Sequence, residues 1–416
     1  MEIQVKVVAC GPISNAELTL PERGIVAIIG PSLSGKSMLE TALSSFALAS
    51  TIASDGVLLG TLAERLRDEN WEELFSSIDP MEYLTAVEEY KGSEDFLQRL
   101  DEVVKRATDK LGAREYLAKM AFIYDFCAAK EIDVWGGKAP AALKVELKID
   151  RLTVSASLPA PDPRLVGLKA LNELVLLEPA SNIVGINVGR PTRFLRELYG
   201  KAKGESSTPP YPSVLLARVL LKSYHVQVDP DIYRMSKQIL LESWKEISSY
   251  EITEDELTFF RTRQGPEVRV RNRVFPWDFT SEGFINLMAH LIIFEIVEIL
   301  ASEGKKIIVG IEEPEAHLDP YVAYKLPLLY SALSRKRDVV FLFTTHSEAL
   351  VKGIEQAVRS ENLKPDYVKI YETIGSKSEG EAVFTLKECP VAENGLIERS
   401  RFTKIAWRVL KGEWEL

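Results

Sequence analysis

The chain has 416 residues, with 51 Lys and Arg against 61 Asp and Glu, a formal net charge of −10. Hydrophobic residues make up 46% and charged residues 27%, the composition of a folded chain long enough for two or three lobes. The acidic balance speaks against a surface built throughout to wrap nucleic acid, and leaves room for a local basic patch.

The opening MEIQVKVVAC carries Glu2 and lacks an apolar core stretch, so no signal peptide is expected there. Cys10, Cys127 and Cys389 are odd in number and far apart, which fits neither a disulfide framework nor a metal ligand set. These features predict a cytoplasmic protein.

In chain order, residues 3–9 and 13–20 read as strands joined at Gly11-Pro12, and Ile25–Ile29 as a third strand running into a glycine-rich turn. Met38, Leu39, Ala42, Leu43 and Phe46 then recur at helical spacing. Residues 60–130 are helical in pattern, and 61–110 hold 14 acidic against 7 basic residues, so that segment carries most of the net charge. A strand pair is expected over 143–157 and a strand over 183–188. Helices should follow between 212 and 249, and strands again between 251 and 274. Leu287–Leu300 is apolar but broken by His290, Glu295 and Glu298, so it predicts a buried helix and no membrane span. A strand (307–311), a helix (319–333) and a strand (339–344) close the pattern. Alternation at both ends predicts an α/β head with a parallel sheet.

Gly30, Pro31, Ser32, Leu33, Ser34, Gly35, Lys36 and Ser37 fit G-x-x-x-x-G-K-[ST], after a strand and before a helix. In that context backbone N–H groups face a phosphate chain, Lys36 reaches its outer phosphates and Ser37 is placed to ligate Mg²⁺. The strand 307–311 ends in Glu312-Glu313, a carboxylate pair that is costly without a cation or a reacting water to use it. Glu312 is assigned to the metal, and Glu313 to orienting and deprotonating the attacking water. His346, 33 residues later at the end of the next strand, can point at the same place. His317 reads as a turn residue, and His225 and His290 as ordinary.

As a set, the phosphate loop, IEEPEAHLDP (311–320) and TTHS (344–347) resemble an ABC-type P-loop NTPase head, more narrowly the soluble RecF/SMC/OLD-like group. The resemblance implies an α/β fold with a mixed sheet, flanking helices and an inserted, largely helical lobe. The expected division is 1–59 and 251–416 for the nucleotide-binding lobe, with 60–250 inserted. It further implies ATP and Mg²⁺ as cofactors, and a homodimer sandwiching ATP between two heads. Ser281 and Gly283, opening the helix before the acidic strand, are similar to the signature supplied in trans, and Asp319 to an aspartate that crosses the dimer interface. No lobe-coupling glutamine is evident, and Arg190 and Arg193, just after the strand at 183–188, are the better candidates for a lobe-to-lobe phosphate contact.

The function so implied is an ATPase switching by head dimerisation in DNA maintenance or anti-phage defence. DNA and a separately encoded nuclease or toxin are the partners to be expected, because the 70 residues after His346 contain no Asp-x-Asp pair of the kind a metal-dependent nuclease uses. Two readings stay open: a nucleotide-dependent module controlling a partner effector, and an ATP subunit of a membrane transporter. Arg269, Arg271 and Arg273 alternate with apolar and polar neighbours, so period two puts them on one strand face, either against nucleic-acid backbone or simply solvated. Arg401, Lys404, Arg408 and Lys411 line one side of a C-terminal amphipathic helix.

Overall fold

The computed structural model describes residues 2–54, 143–149, 152–158, 183–199, 212–223, 229–247, 253–262, 265–276, 280–301, 306–378 and 381–398. The acidic 61–110 segment, Cys127, the 200–211 loop and the basic C-terminal helix lie outside these residues.

Three strands open the chain: β1 (Ile3–Cys10), β2 (Ile13–Leu20) and β3 (Gly24–Ile29). Helix α1 (Lys36–Ser54) follows, then β4 (Leu143–Ile149), β5 (Leu152–Leu158) and β6 (Ile183–Gly189). Three helices come next: α2 (Pro191–Tyr199), α3 (Pro212–Ser223) and α4 (Pro230–Ile247). A second sheet contains β7 (Leu257–Thr262), β8 (Gly265–Val270) and β9 (Arg273–Pro276) in sequential antiparallel order. The chain continues through α5 (Glu282–Ala301), β10 (Lys306–Glu312), α6 (Pro320–Lys336) and β11 (Val339–Thr345). It ends with α7 (Glu348–Arg359), β12 (Val368–Ser378) and β13 (Glu381–Glu388).

Among the described residues the main sheet has ten strands, in the order β5-β4-β1-β2-β13-β12-β3-β11-β10-β6. The five from β12 to β6 are mutually parallel, while β1, β2, β4 and β5 form an antiparallel wing. This is the mixed α/β P-loop architecture expected from the sequence. Strands β4 to β6, which fall within the expected 60–250 insertion, belong to this same sheet.

The parallel strands are the apolar runs. Every residue of β3, β6 and β11 is buried, and so are Ile307–Ile311 of β10. Strands covered on both faces carry this continuous pattern. One face packs on α1, and the approach there is close: a Cβ at Gly310 would lie 2.0 Å from Glu40 Oε1 and 2.5 Å from Ser44. On the other face a single apolar cluster joins Ile25, Ala27, Val309, Phe341 and Phe343 to Phe294, Tyr330 and Val351 of α5, α6 and α7. Helix α5 is long and apolar enough to cross a membrane by length and composition, but Ile285–Leu300 are all buried within the head. It is the core helix expected from its embedded His290, Glu295 and Glu298.

The arginine alternation at 269–273 does not lie on one strand. Val270 pairs with Arg273, so Arg271-Asn272 is the hairpin turn, with Arg271 at φ +53°. Arg271 is ion-paired with Glu256 at 2.7 Å, and Arg269 stacks over the Phe260 ring. The expected stripe is therefore divided between two strands and a turn.

Candidate active site

In a parallel α/β sheet the strand C-termini share one edge, and ligands bind there. Here five neighbouring strands deliver chemistry to that edge. β3 leads into the phosphate loop, and β10 ends in Glu312 with Glu313 next. β11 is followed by His346, β6 by Arg190, and β12 carries Thr373 one residue past its pairing with Ile29.

The loop has the backbone its glycines predict. Gly30 has φ +141° and Gly35 φ +86°, conformations that L side chains rarely adopt. Leu33 has φ +64° and is almost fully exposed, a conformation costing about 1–2 kcal/mol for a residue with a side chain. Two outside elements clamp the loop. The Thr373 hydroxyl bonds Ser34 Oγ at 2.8 Å and lies within 3.4 Å of the Ile29 carbonyl. A Cβ at Gly35 would meet Pro12 of the β1–β2 turn at 2.8 Å. Thr373 was not legible as a site residue: it is a threonine inside an ordinary strand, brought here by the β12–β3 pairing.

Lys36 is buried and donates to the Pro31 carbonyl across the loop at 2.7 Å. Burial pushes its pKa down to about 8, against the opposing pull of Glu313 and Glu312. Glu313 sits at φ +49°, strained for a glutamate, with its N–H on the Thr344 carbonyl at 2.9 Å. His346 Nε2 is 3.8 Å from Glu313 Oε1. Burial and then Lys36 hold the His346 pKa below its ordinary 6.5, opposed by Glu313 and a hydrogen bond to the Gly30 backbone. The ring is thus neutral at neutral pH. Arg190 places one guanidinium nitrogen 3.5 Å from Glu313 and 3.9 Å from Glu312. Arg193 instead pairs with Glu197 along α2 at 2.6 Å.

The remaining expected residues are placed as follows. Ser281 caps α5, accepting from the Phe284 N–H at 3.3 Å. Gly283 lies against the turn after Glu313, where an added Cβ would be 2.6 Å from the His317 carbonyl. Glu282 is ion-paired with Arg196 of α2. Asp319 caps α6, accepting from the N–H groups of Tyr321 and Val322. His290, expected to be ordinary, is wholly buried with partners on both nitrogens: the Pro314 carbonyl at 2.8 Å and the Tyr330 hydroxyl at 2.6 Å. A carbonyl only accepts, so Nε2 carries the proton and Nδ1 accepts from Tyr330. Desolvation lowers the His290 pKa to about 4.

The donor set suits a nucleotide-borne Mg²⁺ better than a self-sufficient metal cage. Among the described residues no group of three or more His, Cys, Asp and Glu could hold a metal ion. Ser37 and Glu312 offer one hydroxyl and one carboxylate, and Mg²⁺ ordinarily takes one or two protein oxygens plus phosphates and waters. The Glu312-Glu313 pair, matched here by Arg190, is a place where a cation is electrostatically welcome.

No protein-family model and no curated protein matches the chain. Solved structures do show likeness. An SMC head domain from Thermotoga maritima is 11% identical, covers 94% of this chain and 100% of its own, and has a TM-score of 0.37. An SMC head domain with an extended coiled coil, bound to the C-terminal domain of ScpA and derived from Pyrococcus furiosus, is 13% identical, covers 99% and 100%, and has a TM-score of 0.37. The recombination mediator protein RecF-ATPrS is 10% identical, covers 92% and 97%, and has a TM-score of 0.32. These are of the SMC and RecF kind that the sequence motifs resemble.

Proposed function

We propose that the chain binds ATP with Mg²⁺ and hydrolyses it, using the edge where β12, β3, β11, β10 and β6 end. One observation carries this reading. Glu312, Glu313, His346 and Arg190, brought from three separate strand ends, meet within 4 Å contacts, and the phosphate loop joins them through the His346 hydrogen bond to the Gly30 backbone and the pull of Glu313 and Glu312 on Lys36. In this reading Lys36 exchanges the Pro31 carbonyl for the outer phosphates, and the loop N–H groups cradle the remainder. Ser37 and Glu312 would hold the metal, which would supply charge neutralisation at the phosphates. Glu313 orients a water and takes its proton as the oxygen attacks the γ-phosphorus, and the bond to the bridging oxygen breaks to release ADP and phosphate. Neutral His346, tied to the Gly30 backbone, orients Glu313 and the water from the β11 side. Arg190 is released from the acid pair and offers its charge to the transferred phosphoryl group.

The finer reading is a cytoplasmic ATPase whose heads pair around ATP, in DNA maintenance or defence, with DNA or a separate effector as the coupled partner. Light scattering of Glu313→Gln with ATP tests the pairing: a dimer is expected, and a monomer under saturating ATP contradicts it. A low-turnover interaction module is favoured by one feature. At the candidate signature, Ser281 serves as a local cap and Glu282 puts a paired charge beside Gly283. Slow single-turnover hydrolysis with no DNA stimulation selects that reading.

A further inference from the structure

The turn that follows Glu313 is held by one face of α5. Gly283, Asn286 and His290 are spaced i, i+3 and i+7, so they lie in a row along the helix. Each meets a different backbone carbonyl of the turn. His290 Nε2 donates to Pro314 at 2.8 Å, and Asn286 Nδ2 donates to Ala316 at 2.7 Å. The bare Cα of Gly283 lets the His317 carbonyl approach to a place no side chain could share. Both ends of this turn are non-glycine residues in the left-handed region, Glu313 at φ +49° and His317 at φ +65°. Such backbone persists only where its surroundings over-determine it. Tyr330 of α6 completes the device by donating to His290 Nδ1, which leaves Nε2–H as the donor to Pro314.

We infer that Gly283, Asn286 and His290 are a positioning row through which α5 holds the catalytic carboxylate of Glu313 in its strained, productive orientation. The inference rests on the proposed hydrolysis reading and deepens it. None of the three is assigned to touch nucleotide through this row; they act through the 314–317 backbone. The row also makes the N-terminal end of α5 and the Glu313 turn one mechanical unit. A load applied at Ser281–Gly283 would therefore reach Glu313 directly.

The test compares His290→Leu and His290→Gln in the full chain, with circular dichroism and thermal melting to establish folding. Binding is read with a fluorescent ATP analogue and Mg²⁺, and turnover with Mg²⁺-ATP. His290→Leu removes the donor while keeping bulk. It is expected to bind the analogue within about twofold of wild type and to lose at least about tenfold in kcat with KM unchanged. His290→Gln, which restores an amide donor, is expected to recover most of that loss. A folded His290→Leu protein with wild-type kcat overturns the row, as does one whose binding and turnover fall together without rescue by glutamine. Should His290→Leu fail to fold, Tyr330→Phe decides. It keeps both rings but frees the histidine tautomer, so kcat is expected to fall about two- to fivefold with binding unchanged, and an unaltered kcat overturns the inference. Absence of hydrolysis by the wild-type protein would instead strike the functional reading beneath it.

Discussion

Nucleotide entry should draw protons from solvent, and Lys36 sets how many. The loop holds this ammonium buried against the Pro31 carbonyl, with a pKa pushed down to about 8. A lysine depressed below its usual 10.5 binds fewer protons folded than unfolded between those values, so the folded chain gains stability as pH rises from about 8 towards 10.5. Phosphates placed beside the ammonium favour its charged form and return its pKa upward. At pH 8 about half of the Lys36 side chains are neutral before binding, so each nucleotide should bring in about half a proton, against about a tenth at pH 7. His346, held below 6.5, is neutral at both values and adds little. Titration calorimetry of Mg²⁺-ADP in two buffers of different ionisation enthalpy reads this number directly. ADP avoids turnover, and its terminal phosphate is already ionised at pH 8. Lys36→Arg stays charged throughout and should abolish the uptake wherever it still binds. An uptake at pH 8 no larger than at pH 7, with ADP bound, would mean that Lys36 is not the group that takes up the proton.

Two further outcomes follow from the same geometry. Thr373→Val removes the hydroxyl that ties Ser34 to the end of β3, so nucleotide affinity should fall about three- to tenfold, read by fluorescence titration, with about 1–3 kcal/mol lost in stability as the buried Ser34 hydroxyl loses this partner. Gly310→Ala places a methyl 2.0 Å from Glu40 Oε1 and 2.5 Å from Ser44, beneath the catalytic strand. Overpacking of this kind should destabilise by about 1–3 kcal/mol in urea unfolding, and an unchanged midpoint would contradict the close α1–β10 approach.

The parts of the fold legible in the sequence are those where local pattern and burial agree. β3, β10 and β11 are continuous apolar runs because both faces are covered, and they lead into the phosphate loop, Glu312-Glu313 and His346 respectively. The loop glycines were readable because the backbone there demands left-handed angles. What escaped depends on contacts between distant segments. Thr373 has no local mark, and its role comes from β12 pairing beside β3. His290 looked like one polar interruption of an apolar helix, although its partners are a carbonyl 24 residues on and a hydroxyl 40 residues on. The arginine alternation misled because period two is as regular across a tight turn as along a strand, and Arg271-Asn272 carries no glycine to announce the turn. Strands β4, β5 and β6 were legible as strands, but the wing and edge they complete are set by pairing with β1 and β10.

Hydrolysis of ATP at the strand edge, with Glu313 as the base, is tested most directly by phosphate release from Mg²⁺-ATP by the wild-type chain and by Glu313→Gln, with nucleotide binding measured in parallel. Turnover is expected of the wild type, and a loss of about a hundredfold or more in the variant with binding retained. Wild-type protein that binds no nucleotide, or a glutamine variant that turns over at the wild-type rate, would contradict it.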